Sequence, residues 1–126
     1  MTTLDPEAMS GLRKGTEEFN RGQFFECHDT LEDVWNVVRG PARDFLHGLI
    51  HVAVGFYHLG NGNRRGGESQ LEKGLSKLSS YGDNYLGMEL SQLRIEIKSW
   101  LDKVRSGEKL QASIADLPKC HFLTGK

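Results

Sequence analysis

The stretch Phe45-Leu46-His47-Gly48-Leu49-Ile50-His51-Val52-Ala53-Val54-Gly55-Phe56-Tyr57-His58-Leu59 is apolar nearly all the way round a helix, yet it carries three histidines. A helix with apolar side chains on every side belongs in the middle of a packed domain. Gly40-Pro41 just before it supplies a tight turn and a proline suited to a first helical position. The apolar run is shorter than the roughly 20 residues a membrane span needs. It is therefore the expected central helix, helix three, of a protein that does not cross a membrane.

Outward from this segment the chain reads as more helices. Asp5-Pro6 caps and opens helix one, which runs to Asn20 with Met9, Leu12, Thr16 and Phe19 on one side. Arg21-Gly22 breaks it, and helix two follows with Phe24, Leu31, Trp35 and Val38 in register. Asn63 is placed to cap helix four, whose stripe is Leu71, Leu75 and Leu78. Helix five is expected from about Gly87 to Arg105, with Leu93, Ile97, Trp100 and Val104 on one face. No stretch alternates with period two long enough for a sheet. The expected fold is all-α: a compact single-domain bundle of about five helices over residues 1–126, with a central apolar helix and a tail, 106–126, extended across it.

Sixteen Lys and Arg stand against seventeen Asp and Glu, a net charge of -1, so neither nucleic acid nor an anionic membrane is an expected partner. The N-terminal stretch lacks a basic start followed by an apolar run, so no secretory signal is expected. Two cysteines, Cys27 and Cys120, make neither a disulfide framework nor a metal knuckle and fit a reducing cytoplasm. Cys27 reads as a small buried hydrophobe.

Polar residues on apolar faces are the candidates for chemistry. At about 100° per residue, with Phe24 as zero, Trp35 falls at about 20°, His28 at about 40°, Glu32 at about 80° and Leu31 at about 340°, so His28 and Glu32 point inward, while Glu26, Asp29 and Asp33, between about 140° and 200°, point outward. An inward His-Glu pair four residues apart is either a structural pair fixing register or a ligand and acid/base pair in a pocket. On helix three, Asp44, His47, His51 and His58 fall within about 60° of one another. Histidines four apart can share a metal ion. The segment is not H-E-x-x-H, and its alternative reading is a polar stripe facing a partner or the groove beside helix two. The loop Gly60 to Gly67 holds Arg64 and Arg65 at a helix start, which suits an anion or, more simply, a helix hairpin.

The stretch Glu18-Phe19-Asn20-Arg21-Gly22-Gln23-Phe24-Phe25-Glu26-Cys27-His28-Asp29-Thr30-Leu31-Glu32 with Trp35 resembles the opening signature of the family called domain of unknown function 309. A second block, Phe45 to His51 followed by His58 and Gly62-Asn63-Arg64-Arg65-Gly66, is similar to that family's next conserved run. Together they span about residues 15–80. The resemblance implies a compact helical bundle and a membership sometimes catalogued as predicted metal-dependent hydrolases. Glu26, His28, Glu32, Trp35, His58, Gly62, Asn63 and Gly66 match the pattern. Asp29 replaces the usual glutamate, and His47 and His51 stand where the family often has glutamine.

The leading expectation is a polar pocket between helices two and three, lined by His28, Glu32 and His58 with Glu26 and Asp29 at its rim. A divalent metal, zinc or manganese, is expected on His28, His58 and Glu32, with Glu32 or Glu26 as catalytic carboxylate. His47, His51, Asp29, Asn63 and Arg65 are further candidates for the polar site. The alternative is a non-catalytic module that binds a protein partner through Glu26, Asp29 and Asp33 or through Arg64-Arg65. A homodimer with Phe25 or Ile95 at its seam is compatible with either.

Overall fold

The structure is a computed structural model that describes residues 4–110 and 116–123. The rest of the expected tail, 111–115 and 124–126, lies outside the described residues. The elements are α1 (Pro6–Asn20), α2 (Phe24–Val37), α3 (Pro41–Gly60), α4 (Arg64–Leu78), a 3-10 turn (Ser79–Tyr81), β1 (Asn84–Tyr85), β2 (Met88–Glu89), α5 (Ser91–Arg105) and β3 (His121–Phe122). Five helices carry the fold, as the periodicity predicts. Among the described residues no helix is long and apolar enough to cross a membrane.

The helix starts follow from their caps. Asp5 Oδ1 accepts from the Ala8 N–H at 2.8 Å, and Pro6 follows it at the first helical position. Asn63 Oδ1 accepts from the Gly66 N–H at 2.9 Å and opens α4 in the same way. Helix α3 packs on α2 on one side and on α4 on the other. It buries Phe45, Leu46, Leu49, Val52, Ala53 and Phe56, which is why its sequence is apolar nearly all round.

The α3–α4 approach is set by glycine. A Cβ built on Gly74 would stand 2.9 Å from the Gly48 carbonyl oxygen, and one on Gly67 would stand 3.2 Å from that of Gly55. Helices can come this close only where no side chain intervenes. At one end of the bundle Phe19, Phe24, Phe56 and Trp100 interlock, with neighbouring ring centroids 5.2–6.2 Å apart.

Two expectations are corrected. Helix five does not begin near Gly87, because residues 84–89 form a hairpin and α5 begins at Ser91. A small sheet is also present, in the order β1-β2-β3, with Tyr85 opposite Met88 and Met88 opposite Phe122. Leu86 and Gly87 form the turn with φ of 53° and 82°, the paired left-handed conformation of a two-residue hairpin loop. Leu86 is held there by packing against the core. Glu89 then accepts from the Gln92 N–H at 3.2 Å and from the Ser91 hydroxyl, anchoring the start of α5.

The last described strand is tied to α1. Asn20 bonds both backbone polar groups of Cys120, and the Arg13 guanidinium lies 4.4 Å from the centre of the Phe122 ring. The C-terminal segment therefore closes over the α1–α2 end.

Candidate metal-binding site

The buried side of α2 is made by Phe24, Cys27, Leu31 and Val34. At about 100° per residue this centre lies roughly 40–60° from Phe24, on the side away from Trp35. His28 is thereby moved to the rim, with its side chain 24% exposed, and Glu32 into solvent at 49%. The inward His-Glu pair expected from sequence is a surface pair. The cause is the choice of Trp35 as an inward marker, since this half-buried indole lies flat against α3 at the edge of the core.

The side chains nevertheless converge. His28 Nε2 is 3.3 Å from Glu32 Oε2, one turn along the helix, and His28 Nδ1 is 3.5 Å from Asp29 Oδ1. One ligand atom from each of the three residues lies within 4.8 Å of the others, a grouping of three such side chains found nowhere else among the described residues. Both contacts exceed the roughly 2.7–2.9 Å of a charge-assisted hydrogen bond. The three groups face one another without being locked together. Phe25 flanks them, its ring centre 5.7 Å from that of His28, and the exposed ring of Tyr57 lies 5.6 Å beyond.

His58 stands outside this group. Its Nδ1 is 3.5 Å from Asn63 Nδ2, and its ring neighbours Tyr57 at 6.1 Å. Glu26 is outside it too, exposed in the first turn of α2, where it lines a cleft of about 670 Å³ with Phe24, Phe56, Tyr57 and Trp100. The structure thus gathers His28, Asp29 and Glu32, in place of the His28, Glu32 and His58 expected.

His47 and His51 lie together at a different place on α3, their ring centres 4.3 Å apart. His47 stacks on Trp35 at 5.2 Å with 26° between planes, and His51 Nδ1 is 2.7 Å from Gln70 Oε1 on α4. Burial, then the proximity of His51 and Lys77, lowers the pKa of His47 below the ordinary imidazole value. Asn63 is engaged as a helix cap, and Arg65 is exposed. Arg64 donates to the carbonyls of Val104 and Lys103 at 3.1 Å and of Glu108 at 2.5 Å. It closes the C-terminus of α5, which removes one of the two arginines an anion site in this loop required.

Sequence reasoning missed Arg43 and Gln70. Arg43 sits 3.8 Å from the Trp35 ring centre and donates to the Trp35 carbonyl at 2.6 Å. It reaches across the Gly40-Pro41 turn, where helical periodicity does not extend. Gln70 meets His51 from a different helix, and only the glycine spacing of α3 and α4 hints at so close an approach. Both cysteines are free and buried. Burial pushes the Cys120 thiol up to about 12 and raises that of Cys27 as well, so neither is an activated nucleophile.

A curated relative from Aquifex aeolicus (strain VF5), described as "Uncharacterized protein", is 27% identical over 94 residues, 74% of this chain. The chain spans about 27% of that relative's length. A family model described as "Domain of unknown function (DUF309)" matches residues 12–69, from α1 into the second turn of α4. The matched segment contains the whole of the His28, Asp29 and Glu32 group. The family that the two sequence blocks resemble and the family matched over residues 12–69 are the same one, the domain of unknown function 309.

Proposed function

We propose that His28, Asp29 and Glu32 hold a divalent cation, zinc or manganese, and that the protein is a metal-dependent hydrolase. The observation that carries this reading is the convergence of one imidazole and two carboxylates within 4.8 Å on adjacent turns of α2. The donor set fits such an ion. Three protein ligands leave coordination positions for water and substrate, the pattern of catalytic rather than structural sites. A cation bound there supplies Lewis acidity and a bound water of lowered pKa. His28 contributes the nitrogen ligand, Asp29 and Glu32 the oxygens, and Glu32 Oε1 is the atom proposed to accept a proton. Phe25 and Tyr57 form an aromatic wall against which a substrate would rest. A cytoplasmic location belongs to the same proposal, supported by two buried free thiols.

The test is calorimetric titration of chelator-treated protein with manganese and zinc, followed by assays on phosphate and carboxylic esters. Binding of about one ion, lost in His28→Ala with helical content retained, supports the metal reading, and turnover lost in Glu32→Gln supports the hydrolase. Absence of titration heat would remove the first, and metal binding without turnover the second.

A second reading is favoured by the exposure of Phe25 (49%) and Tyr57 (40%), whose rings meet at 5.6 Å on a surface that also exposes Glu26, Asp29 and Glu32. An aromatic pair beside acidic residues suits a basic protein partner or a second copy of the chain. Light scattering across micromolar concentrations separates these: a monomer throughout excludes the second copy.

A further inference from the structure

We propose that His47 and His51 form a second, independent metal site, a two-imidazole chelate for a borderline transition-metal ion such as Cu²⁺ or Ni²⁺. The residues are one turn apart on α3, and their ring centres are 4.3 Å apart with 44° between planes. Side chains four apart on a helix stack over one another, and two imidazoles in that relation can present nitrogens to one ion.

Each ring is oriented from outside the pair. Gln70 Oε1 lies 2.7 Å from His51 Nδ1. An amide oxygen only accepts, so Nδ1 carries the proton and the lone pair resides on Nε2, free for a metal. This is the arrangement by which outer hydrogen bonds fix the tautomer of ligating histidines. Trp35 stacks on His47 at 5.2 Å, and Arg43 anchors that indole. The two rings are thus held by α2 on one side and by α4 on the other.

The surrounding charge does not forbid a cation. Lys77 Nζ is 2.8 Å from Asp44 Oδ1, which neutralises the ammonium nearest the pair. The Arg43 guanidinium is engaged with the carbonyls of Trp35 and Val38 at 2.6 and 3.1 Å.

The donor chemistry separates this site from the one on α2. Two imidazole nitrogens select copper or nickel, whereas an oxygen-rich set with one imidazole also accepts manganese. The pair is built from α3, α4 and Trp35 and shares no residue with His28, Asp29 and Glu32. Failure of either site leaves the other standing.

The experiment is titration of the chelator-treated full-length chain with Cu²⁺, read by indole fluorescence and by the nitrogen hyperfine pattern of the bound ion. Saturable quenching is expected, because Trp35 contacts a ligand ring. Trp35→Phe should remove most of the quenching. His51→Gln should weaken binding at least about tenfold, and Gln70→Ala by about tenfold through loss of ring orientation. His121→Gln, at an exposed histidine outside both sites, should leave the titration unchanged. Because His47→Gln also alters the contact with Trp35, His51→Gln is the deciding variant, with helical content checked by circular dichroism. Unaltered copper affinity in His51→Gln, loss of the site in His121→Gln, or no saturable binding at all would each overturn the proposal.

Discussion

Asn20 holds Cys120 by both of its backbone polar groups: Nδ2 donates to the carbonyl at 2.9 Å, and Oδ1 accepts from the N–H at 2.7 Å. One amide side chain satisfies a strand that begins 100 residues further along. Replacing it with Ala leaves two part-buried groups without this partner, at about 1–3 kcal/mol for each. Both bonds are only part-buried, so Asn20→Ala is expected to lower stability by roughly 2–4 kcal/mol, the lower part of that sum, in urea unfolding. Asn20→Asp, which keeps only the acceptor, should fall between it and the parent. An unchanged midpoint in both would mean that the clamp contributes nothing.

Gly74 lies where a methyl group would meet a carbonyl oxygen, that of Gly48, at 2.9 Å. Alanine in a helix interior normally gains up to about 1 kcal/mol over glycine. Here the obstructing atom is backbone and cannot rotate aside. Gly74→Ala should destabilise by about 1–3 kcal/mol. Gly60, at the end of α3 with nothing within 4 Å of its added Cβ, is the control. Gly60→Ala should be neutral or slightly stabilising in thermal unfolding, and equal melting temperatures for the two variants would contradict this account.

Arg64 is expected to behave as a cap. Its fork reaches three carbonyls at and beyond the end of α5, a task suited to a planar guanidinium and not to an ammonium. Arg64→Lys should lose nearly as much stability as Arg64→Ala, about 1–3 kcal/mol. Sulfate should protect the parent and the variants equally against heat, through its general exclusion from protein surface. Specific protection by sulfate, lost in Arg64→Ala, would restore the anion reading.

His47 gives stability a pH dependence of definite sign. Its pKa is lowered in the fold, first by burial and then by His51 and Lys77. The unfolded chain therefore binds the proton more readily. The stability attached to this group is complete above its ordinary value of 6.5 and declines as pH falls from there toward the folded value. Urea midpoints measured in metal-free buffer from about pH 7.5 to about 5 should show this decline in the parent and a shallower one in His47→Gln. Parallel profiles would exclude His47 as the source.

The helices were legible because each repeats its apolar spacing over fourteen residues or more, and because Asp5 and Asn63 are capping residues in capping positions. Helix spacing likewise brought His28 and Glu32 within reach. It did not place them relative to solvent, since a rotation of roughly 40–60° about the axis of α2 separates pocket from surface. That rotation is fixed by the burial of Cys27 and Val34, which the stripe of Phe24, Leu31, Trp35 and Val38 leaves out. The sheet was hidden because two-residue strands have no period to display. The Asn20 clamp and the Arg64 cap join residues 100 and about 40 positions apart, beyond any local pattern. The contact between His51 and Gln70 depends on how closely α3 and α4 pack, which a sequence shows only as scattered glycines.

The span between Asn20 and Cys120 also bears on the order of folding. Closing a loop of 100 residues costs about 4 kcal/mol in chain entropy before any contact rewards it. The helical hairpins α1–α2 and α3–α4 close over a few residues each and form by local encounters, which are fast. The segment carrying Cys120, just before β3, is then a late arrival on a bundle already assembled. Interactions made after the rate-limiting step act on the rate of departure. Asn20 therefore serves as a latch: weakening it hastens unfolding and leaves the speed of assembly almost untouched.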